Sequence, residues 1–245
     1  MSEGRSYRWF DLIVGLFVAI LIVSNIASVK IVLIRIPLTF LGLPRHLWPG
    51  FPREAGLTFD GGTLLFPLSY IFGDIMTEVY GYARSRRAIW TGFAGLILLS
   101  ITLWLVGVIP PAPGWTGQDA YRATLMFAPR IAGASILAFF AGEFCNSFIL
   151  SRLKIATRGR WLWTRTIGST VAGEAVDSLI FVTAAFAGTM PTALLISIIL
   201  SNYFFKTAYE ILATPLTYWV TGRLKRAENE DKYDYGEDYN PFKLG

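Results

Sequence analysis

Acidic side chains lie inside apolar stretches of this sequence, where they could bind a polar ligand or carry a proton. The clearest case is FPLSYIFGDIMTEVYGY, residues 66–82, which contains Asp74 and Glu78. Residues four apart share one face of a helix, so both carboxylates and Tyr70 are expected on the same face. A charge at membrane depth costs about 2.5–3.5 kcal/mol on insertion scales, and such residues are usually functional. For Glu78 the alternative is a helix end at the level of the lipid headgroups.

Three further apolar stretches carry polar side chains at helical spacing. These are Glu143, Asn146 and Ser147; Glu174, Asp177 and Ser178; and Asn202, Lys206 and Glu210. Because isolated buried charges are costly, the polar faces are expected to meet in one internal site, with Lys206 as a counter-charge. The alternative is a set of structural salt bridges, of which a Lys206–Glu210 pair along one helix would be an example.

The acids in these stretches outnumber the single lysine. Some carboxylate is therefore expected to be protonated, hydrated or available to a ligand. That excess suits a transporter of a flat, donor-rich or cationic solute.

Enzyme motifs are absent from the sequence. The single histidine, His46, lies in a loop, which argues against Ser–His catalysis within the membrane. No HExxH motif, phosphate-cradling glycine loop or Walker-type lysine occurs. The single cysteine, Cys145, excludes an intramolecular disulfide and a cysteine-based zinc site. We therefore predict a protein that is not an enzyme, with no catalytic residue, metal site or cofactor.

The composition places these polar residues in a membrane. Of 245 residues, 53% are hydrophobic and 16% are charged, and the mean hydropathy is +0.48. Soluble domains contain roughly 25% charged residues. The net charge of +5 comes from arginine and lysine clusters beside the apolar runs, which is typical of cytoplasmic membrane anchors. The expected partner is a lipid bilayer, and no nucleic acid is needed to explain the charge.

The apolar runs predict an all-α membrane protein with six transmembrane helices and both termini in the cytoplasm. The predicted spans are 9–29, 62–80, 88–108, 129–150, 166–187 and 192–220, with a basic loop, ARSRR, after the second. The first span is too long for a signal-peptide core and lacks a small-residue cleavage site, so we retain it as a helix. Residues 1–222 are expected to form one transmembrane domain. Residues 223–245 are expected to be a charged cytoplasmic tail, disordered or on the membrane surface.

The first outer loop, residues 30–61, allows several interpretations. KIVLIRIPLTF at 30–40 alternates weakly and is rich in β-branched residues, and LTFDGG at 57–62 follows a proline-rich stretch. These features predict a short hairpin, with Asp60-Gly61-Gly62 as the turn into the next helix. A re-entrant segment and an irregular loop are the alternatives.

Three segments of the sequence resemble one family of bacterial membrane proteins. They are SYIFGDIMTEVYGYARSRRAIW (69–90), GEFCNSFILSRLKIATRGRWLWTRTIGSTVAGEAVDSLIF (142–181) and NYFFKTAYEILATPLTYWV (202–220). They resemble the queuosine precursor transporter family, also described as vitamin-uptake transporters. The resemblance covers roughly residues 60–222, and its patterns D-x-x-x-E-V-Y-G-Y and R-T-x-G-S-x-x-x-G-E-x-x-D are specific.

The resemblance implies a multi-pass protein of the bacterial inner membrane. Its six helices would be arranged as in the substrate-binding subunits of energy-coupling-factor vitamin transporters. The implied substrate is a 7-deazaguanine precursor of queuosine in tRNA: 7-cyano-7-deazaguanine, 7-aminomethyl-7-deazaguanine or queuine. The alternatives are a binding subunit that needs a separate ATP-driven module, and a structural or enzymatic membrane protein. A homodimer through the featureless third span is compatible with the sequence but not required by it.

The substrate that the resemblance implies has polar edges that match these side chains. Its N1–H and 2-amino group form a donor pair that fits one carboxylate, and a carboxylate deprived of that pair would discriminate against adenine-like rings. Asp177 or Glu174 is the candidate for this contact. Asn146 and Lys206 are candidates for the 6-oxo edge.

The remaining candidates stack on the ring or handle charge. Phe66, Tyr70 and Phe181 are expected to stack against the ring. Asp74 and Glu78 are expected either to neutralise an aminomethyl cation or to carry a coupling proton. The predicted substrate-binding residues are Phe66, Tyr70, Asp74, Glu78, Glu143, Asn146, Glu174, Asp177, Phe181, Asn202 and Lys206.

Overall fold

The structure, a computed structural model, describes residues 7–28, 30–34, 57–126, 129–188 and 191–243. Seven α-helices and one two-stranded sheet occupy these ranges. In chain order they are α1 (Phe10–Ala27), β1 (Ile31–Ile34), β2 (Leu57–Asp60), α2 (Phe66–Tyr80), α3 (Tyr82–Val108), α4 (Gln118–Thr124), α5 (Pro129–Ala156), α6 (Leu162–Phe186) and α7 (Thr192–Glu228).

The two strands confirm the pairing predicted for the ends of the first loop. β1 and β2 are antiparallel, with Ile31 opposite Asp60 and Ile34 opposite Leu57. The Gly61 amide then donates to the Lys30 carbonyl at 2.7 Å, and a 3₁₀ turn over 61–64 leads into α2. Residues 35–56, to which the re-entrant and irregular-loop alternatives also apply, lie outside the described residues.

Four helices of the described chain are long and apolar enough to cross a membrane. They are α1, α3, and the parts of α5 and α6 at Gly133–Ala156 and Leu162–Ala185. The predicted second span corresponds to α2, whose 15 residues are fewer than the roughly 20 of a straight span. These helices therefore indicate a multi-pass membrane protein. The count of six spans, the cytoplasmic termini and the likeness to energy-coupling-factor subunits stay predictions.

Helix α2 occupies the centre of the helix bundle, and nearly all of its residues are buried. It packs against α1, α3, α5 and α7. It ends at Tyr80, and the next residue, Gly81, has a backbone conformation (φ 87°) that glycine adopts without steric cost. Helix α3 begins at the next residue, so the basic loop predicted at ARSRR is wrong. Those residues form the first turns of α3, because one glycine suffices to change the chain's direction.

Helices α5 and α6 form the most extensive helix pair, and glycines set their separation. A Cβ on Gly142 would lie 2.8 Å from the Asp177 Cβ and 2.9 Å from the Gly173 carbonyl oxygen. A Cβ on Gly173 would lie 2.9 Å from the Asn146 Cβ. Small residues permit such close approach of membrane helices. The polar faces of α5 and α6 are brought together by this contact.

The chain after α7 packs against the bundle, and we call residues 229–243 the C-terminal strap. Its Asp234 carboxylate accepts hydrogen bonds from the Tyr82 amide at 3.0 Å and the Ser151 hydroxyl at 2.5 Å. Arg86 donates to the carbonyls of residues 238 and 240 at 2.7 and 2.9 Å. The predicted disorder is therefore wrong for these described residues, because α3 and α5 supply partners for the strap's polar groups. The predicted boundary at 222/223 falls within α7.

Candidate functional site

A cavity of about 40 Å³ lies among the central helices. Its lining includes five of the predicted site residues: Phe66, Asp177, Phe181, Asn202 and Lys206. The volume admits a few water molecules but is far below the roughly 300 Å³ or more of typical small-molecule pockets. A purine-sized ligand therefore requires the surrounding helices to separate.

The lining also contains polar residues that sequence reasoning did not assign to the site. Asn25 and Ser28 of the first predicted span and Ser135 of α5 face the cavity. Asn25 and Ser28 donate to carbonyls one turn earlier, at 3.1 and 2.9 Å, so their polar groups also have partners within the span. Their polar character in an otherwise apolar span was the sequence feature that could have predicted their position beside the cavity.

Lys206 is the cation of this cavity and bridges two acids on α6. Its Nζ lies 2.5 Å from the Asp177 carboxylate and 3.1 Å from that of Glu174. The same Nζ stands 4.3 Å from the centroid of the Phe66 ring, a distance typical of a cation–π contact. The expectation that Lys206 counters a carboxylate is confirmed. The alternative pair with Glu210 is not formed within the described part of the chain.

A second polar layer lies beside the cavity, where α2 faces α5. The Asn146 amide donates to Asp74 Oδ1 at 2.7 Å. Ser147 joins the Thr77 hydroxyl at 3.2 Å to the Glu143 carboxylate at 3.5 Å. All of these side chains are almost fully buried. The polar faces predicted on the two helices therefore meet, as expected.

Three carboxylates of this interior make no ion pair with any residue that the structure describes. They are Asp74, Glu143 and Glu210. Asp74 Oδ2, Glu143 Oε2 and both oxygens of Glu210 also lack a hydrogen-bond partner in those ranges. The buried hydroxyl of Tyr70 shares this condition. We call Asp74, Glu143 and Glu210 the cation-free acids.

Glu78 lies in a different environment from Asp74, although both are on α2. Its carboxylate is 2.6 Å from Arg165, 2.6 Å from Lys225 and 3.7 Å from Lys154. It does not line the cavity. A deep ion cluster therefore accounts for its burial, and the substrate contact predicted for it has no support from this geometry.

The C-terminal strap completes the ion cluster around Glu78. Asp231 contacts Lys154 at 2.6 Å and Lys225 at 2.9 Å. Burial acts to raise the pKa of Asp231, but the hydrogen bonds and charges of the two lysines outweigh it and hold that pKa below its ordinary value. This carboxylate is therefore ionised at neutral pH and locked to α5 and α7.

Comparison with known proteins shows that the candidate site lies in the part of the chain that matches a known family. The model of the family described as "Putative vitamin uptake transporter" matches residues 60–220, a range that contains every predicted site residue. The chain is 32% identical over 164 residues to the "Probable queuosine precursor transporter" of Bacillus subtilis (strain 168), covering 66% of this chain and 72% of that protein. No solved structure matches the chain significantly.

Two further relatives are matched over about half of their length. The chain is 27% identical over 125 residues to the "Queuosine precursor transporter" of Escherichia coli (strain K12), covering 51% of this chain and 54% of that protein. It is 23% identical over 125 residues to the "Probable queuosine precursor transporter" of Haemophilus influenzae, covering 51% of each.

Proposed function

The chain belongs to the vitamin uptake transporter family, and on that premise we propose that it imports a queuosine precursor across the bacterial inner membrane. The substrate would be one of the 7-deazaguanines: 7-cyano-7-deazaguanine, 7-aminomethyl-7-deazaguanine or queuine. The observation that carries the proposal is the buried Lys206 bridge to Asp177 and Glu174 beside a cavity with aromatic walls. Relatives named as queuosine precursor transporters support it.

Substrate binding would exchange one donor for another at Asp177. In the structure the carboxylate is held by Lys206 at 2.5 Å. The N1–H and 2-amino group of a 7-deazaguanine form a donor pair that replaces this contact bidentately. Lys206, once displaced, lies beside the ring and donates to its 6-oxo group. The buried charges keep polar partners throughout, which a buried site requires.

The same exchange explains selectivity against other purines. An adenine-like ring has no N1–H donor and carries an amino group where the 6-oxo group stands. It would displace Lys206 without satisfying Asp177, and the free-energy cost of a buried, unpaired carboxylate exceeds the stabilisation that the ring provides. Phe66 and Phe181 line the cavity and offer stacking surfaces to any planar ring. Selectivity between purines would therefore come from the polar edge of the ring rather than from its stacking faces.

Ligand-induced thermal stabilisation of the purified protein in detergent tests this proposal. A 7-deazaguanine at about 100 times its dissociation constant should stabilise the protein by roughly 2.7 kcal/mol, whereas adenine should not. Asp177→Asn should lose the shift, because the amide presents one acceptor oxygen and a repelling NH₂ group. Asp119→Asn, at an exposed position of α4, is the matched control and should retain it. Absence of stabilisation by all three 7-deazaguanines would refute the assignment of the substrate.

A further inference from the structure

The cation-free acids are the buried groups that the substrate site leaves unexplained. They come from α2, α5 and α7 and are each almost fully buried. The charges that act most strongly on Asp74 are those of Glu210 and then Glu143, and Glu174 and Glu210 act in turn on Glu143. The three side chains therefore form one electrostatic cluster.

The cations of the described interior are engaged elsewhere. Lys206 is held between Asp177 and Glu174. Arg165 and Lys225 contact Glu78, with Lys154 beside them. An ionised carboxylate buried without a counter-ion costs several kcal/mol. A bound proton removes that cost without requiring any further side chain.

We propose that Asp74, Glu143 and Glu210 carry protons, and that inward movement of the substrate is coupled to inward movement of at least one proton. This inference rests on the import function proposed above. The acids take up protons when the cavity opens to the outer solution. They release them when water reaches the cluster from the inner side. The proton moves between carboxyl groups and water, and no bond in the substrate changes.

The surrounding charges give protonation a role in the conformational change. Glu210 is faced by Asp74 on α2, Glu143 on α5 and Glu174 on α6, with Lys206 one turn away on its own helix. Tyr70 and Asp177 also face the cluster, and Glu78 lies one turn from Asp74 on α2. With the cation-free acids protonated, Lys206 offsets one of the two remaining carboxylates. Helices that carry less net charge rearrange at lower cost in a membrane.

The geometry favours a proton over a metal cation. Within the described ranges, no group of three or more acidic, histidine or cysteine side chains converges closely enough to hold a metal ion. Metal cations such as Ca²⁺ need six or more oxygen ligands at 2.3–2.6 Å, and Mg²⁺ demands near-ideal octahedral coordination. A proton needs one carboxylate oxygen, and Glu210 offers two without partners among the described residues.

Proteoliposomes that contain only this protein allow transport and coupling to be measured separately. Radiolabelled 7-cyano-7-deazaguanine is offered under an outside-acid gradient of one pH unit, with and without a protonophore. Coupling to one proton predicts about tenfold accumulation, since tenfold in concentration corresponds to 1.4 kcal/mol, as does one pH unit. Exchange between internal unlabelled and external labelled substrate is measured at equal pH, where no net proton movement is needed.

Glu210→Gln separates coupling from binding, because it removes a titratable proton at nearly constant shape. It should retain exchange within about twofold and lose the response to the gradient. Asp74→Asn keeps an oxygen to accept from Asn146, and Glu143→Gln keeps one to accept from Ser147. Both positions are predicted substrate-binding residues, so these variants are scored on their gradient response alone, and they take the place of Glu210→Gln if it fails to fold. Glu237→Gln, a carboxylate of the C-terminal strap paired with Arg86 at 3.9 Å, is the matched control and should behave as wild type.

The outcomes distinguish the two proposals. Wild-type exchange without any response to the pH gradient overturns proton coupling and leaves the transport function standing. So does accumulation that follows a sodium gradient, or that requires a separate ATP-driven module. If exchange and ligand-induced stabilisation are both absent, the proposed function itself fails. Full gradient response in Glu210→Gln, Asp74→Asn and Glu143→Gln alike overturns the assignment to these acids.

Discussion

Asp234 of the C-terminal strap caps helix α3 from a distant part of the chain, and its removal should destabilise the protein. The carboxylate accepts from the backbone amide of Tyr82, the first residue of α3, at 3.0 Å and from the Ser151 hydroxyl at 2.5 Å. Gly81, at the N-cap of α3, has no side chain to do so. A carboxylate at this position satisfies a free amide and interacts favourably with the helix dipole.

The magnitude follows from the group that Asp234→Ala would leave without a partner. The Ser151 hydroxyl keeps its contact with the Tyr239 hydroxyl at 2.9 Å, so the Tyr82 amide is the group that loses its acceptor. Because an unsatisfied buried amide costs about 1–3 kcal/mol, we expect a loss of that size in unfolding free energy. Asp234→Asn retains one acceptor oxygen and should lose about half as much. Asp238→Asn, at an exposed side chain paired with Lys243 at 3.2 Å, should produce no measurable change.

Thermal unfolding in detergent measures the stability difference, and limited trypsin digestion measures release of the strap. Lys232 is tied down by its amide, which donates to the Val79 carbonyl at 3.2 Å, and by its carbonyl, which accepts from Lys154 at 2.6 Å. Asp234→Ala should therefore lower the melting temperature and accelerate cleavage after Lys232. If the melting temperature and the cleavage rate both match those of Asp238→Asn, the strap does not cap α3 and the reasoning is refuted.

Two further predictions concern close packing and pH. Gly142→Ala should lower the unfolding free energy by about 1–3 kcal/mol through overpacking, because the added Cβ would lie 2.8 Å from the Asp177 Cβ. Gly222→Ala is the control, since its Cβ would have no neighbour within 4 Å, and it should be neutral or stabilising in the same melting assay. The pKa of Asp231 is lowered in the folded protein, so its stabilising contribution is full above the unfolded pKa of about 3.9 and disappears as the pH falls through the folded value. The difference in melting temperature between wild type and Asp231→Asn should therefore shrink from pH 6 toward roughly pH 3, and a constant difference would contradict this.

The sequence predicted the long helices well because apolar runs and basic clusters are local signals. It predicted the paired strands from β-branched alternation for the same reason. It placed a loop at ARSRR because basic clusters usually lie between spans, whereas Gly81 alone turns the chain in the structure. The order of the strap could not be predicted. Asp234 contacts Tyr82 and Ser151, and the composition of the tail cannot predict contacts between residues so far apart in the sequence.

In the candidate site, too, local sequence patterns were predictive, whereas contacts between distant residues could not be predicted. Helical spacing correctly grouped the polar residues into faces. It could not decide whether Lys206 pairs along its own helix with Glu210 or across to α6, since both are geometrically available to a long side chain. The structure selects α6, where Asp177 and Glu174 together offer two carboxylates. Because Asp74 and Glu78 share a helix face, the sequence also suggested a shared role for them. Four residues of helix, a rise of about 6 Å, nevertheless separate Asp74, which has no cation beside it among the described residues, from Glu78, which has three.

The contrast along α2 indicates which end of the bundle opens. At Glu78 the helix is held by Arg165, Lys225 and the strap through charged contacts of 2.6–3.3 Å. At the cavity the polar contacts are fewer, and several buried oxygens of the described residues have no partner. The main ion pair there is the Lys206 bridge, which the proposed substrate would replace. Separating the helices at the Glu78 end breaks a compensated charge cluster, whereas separating them at the Lys206 end exposes groups that become hydrated. The lower cost therefore lies at the Lys206 end, and the Glu78 cluster is the natural pivot for admitting a ligand larger than the cavity.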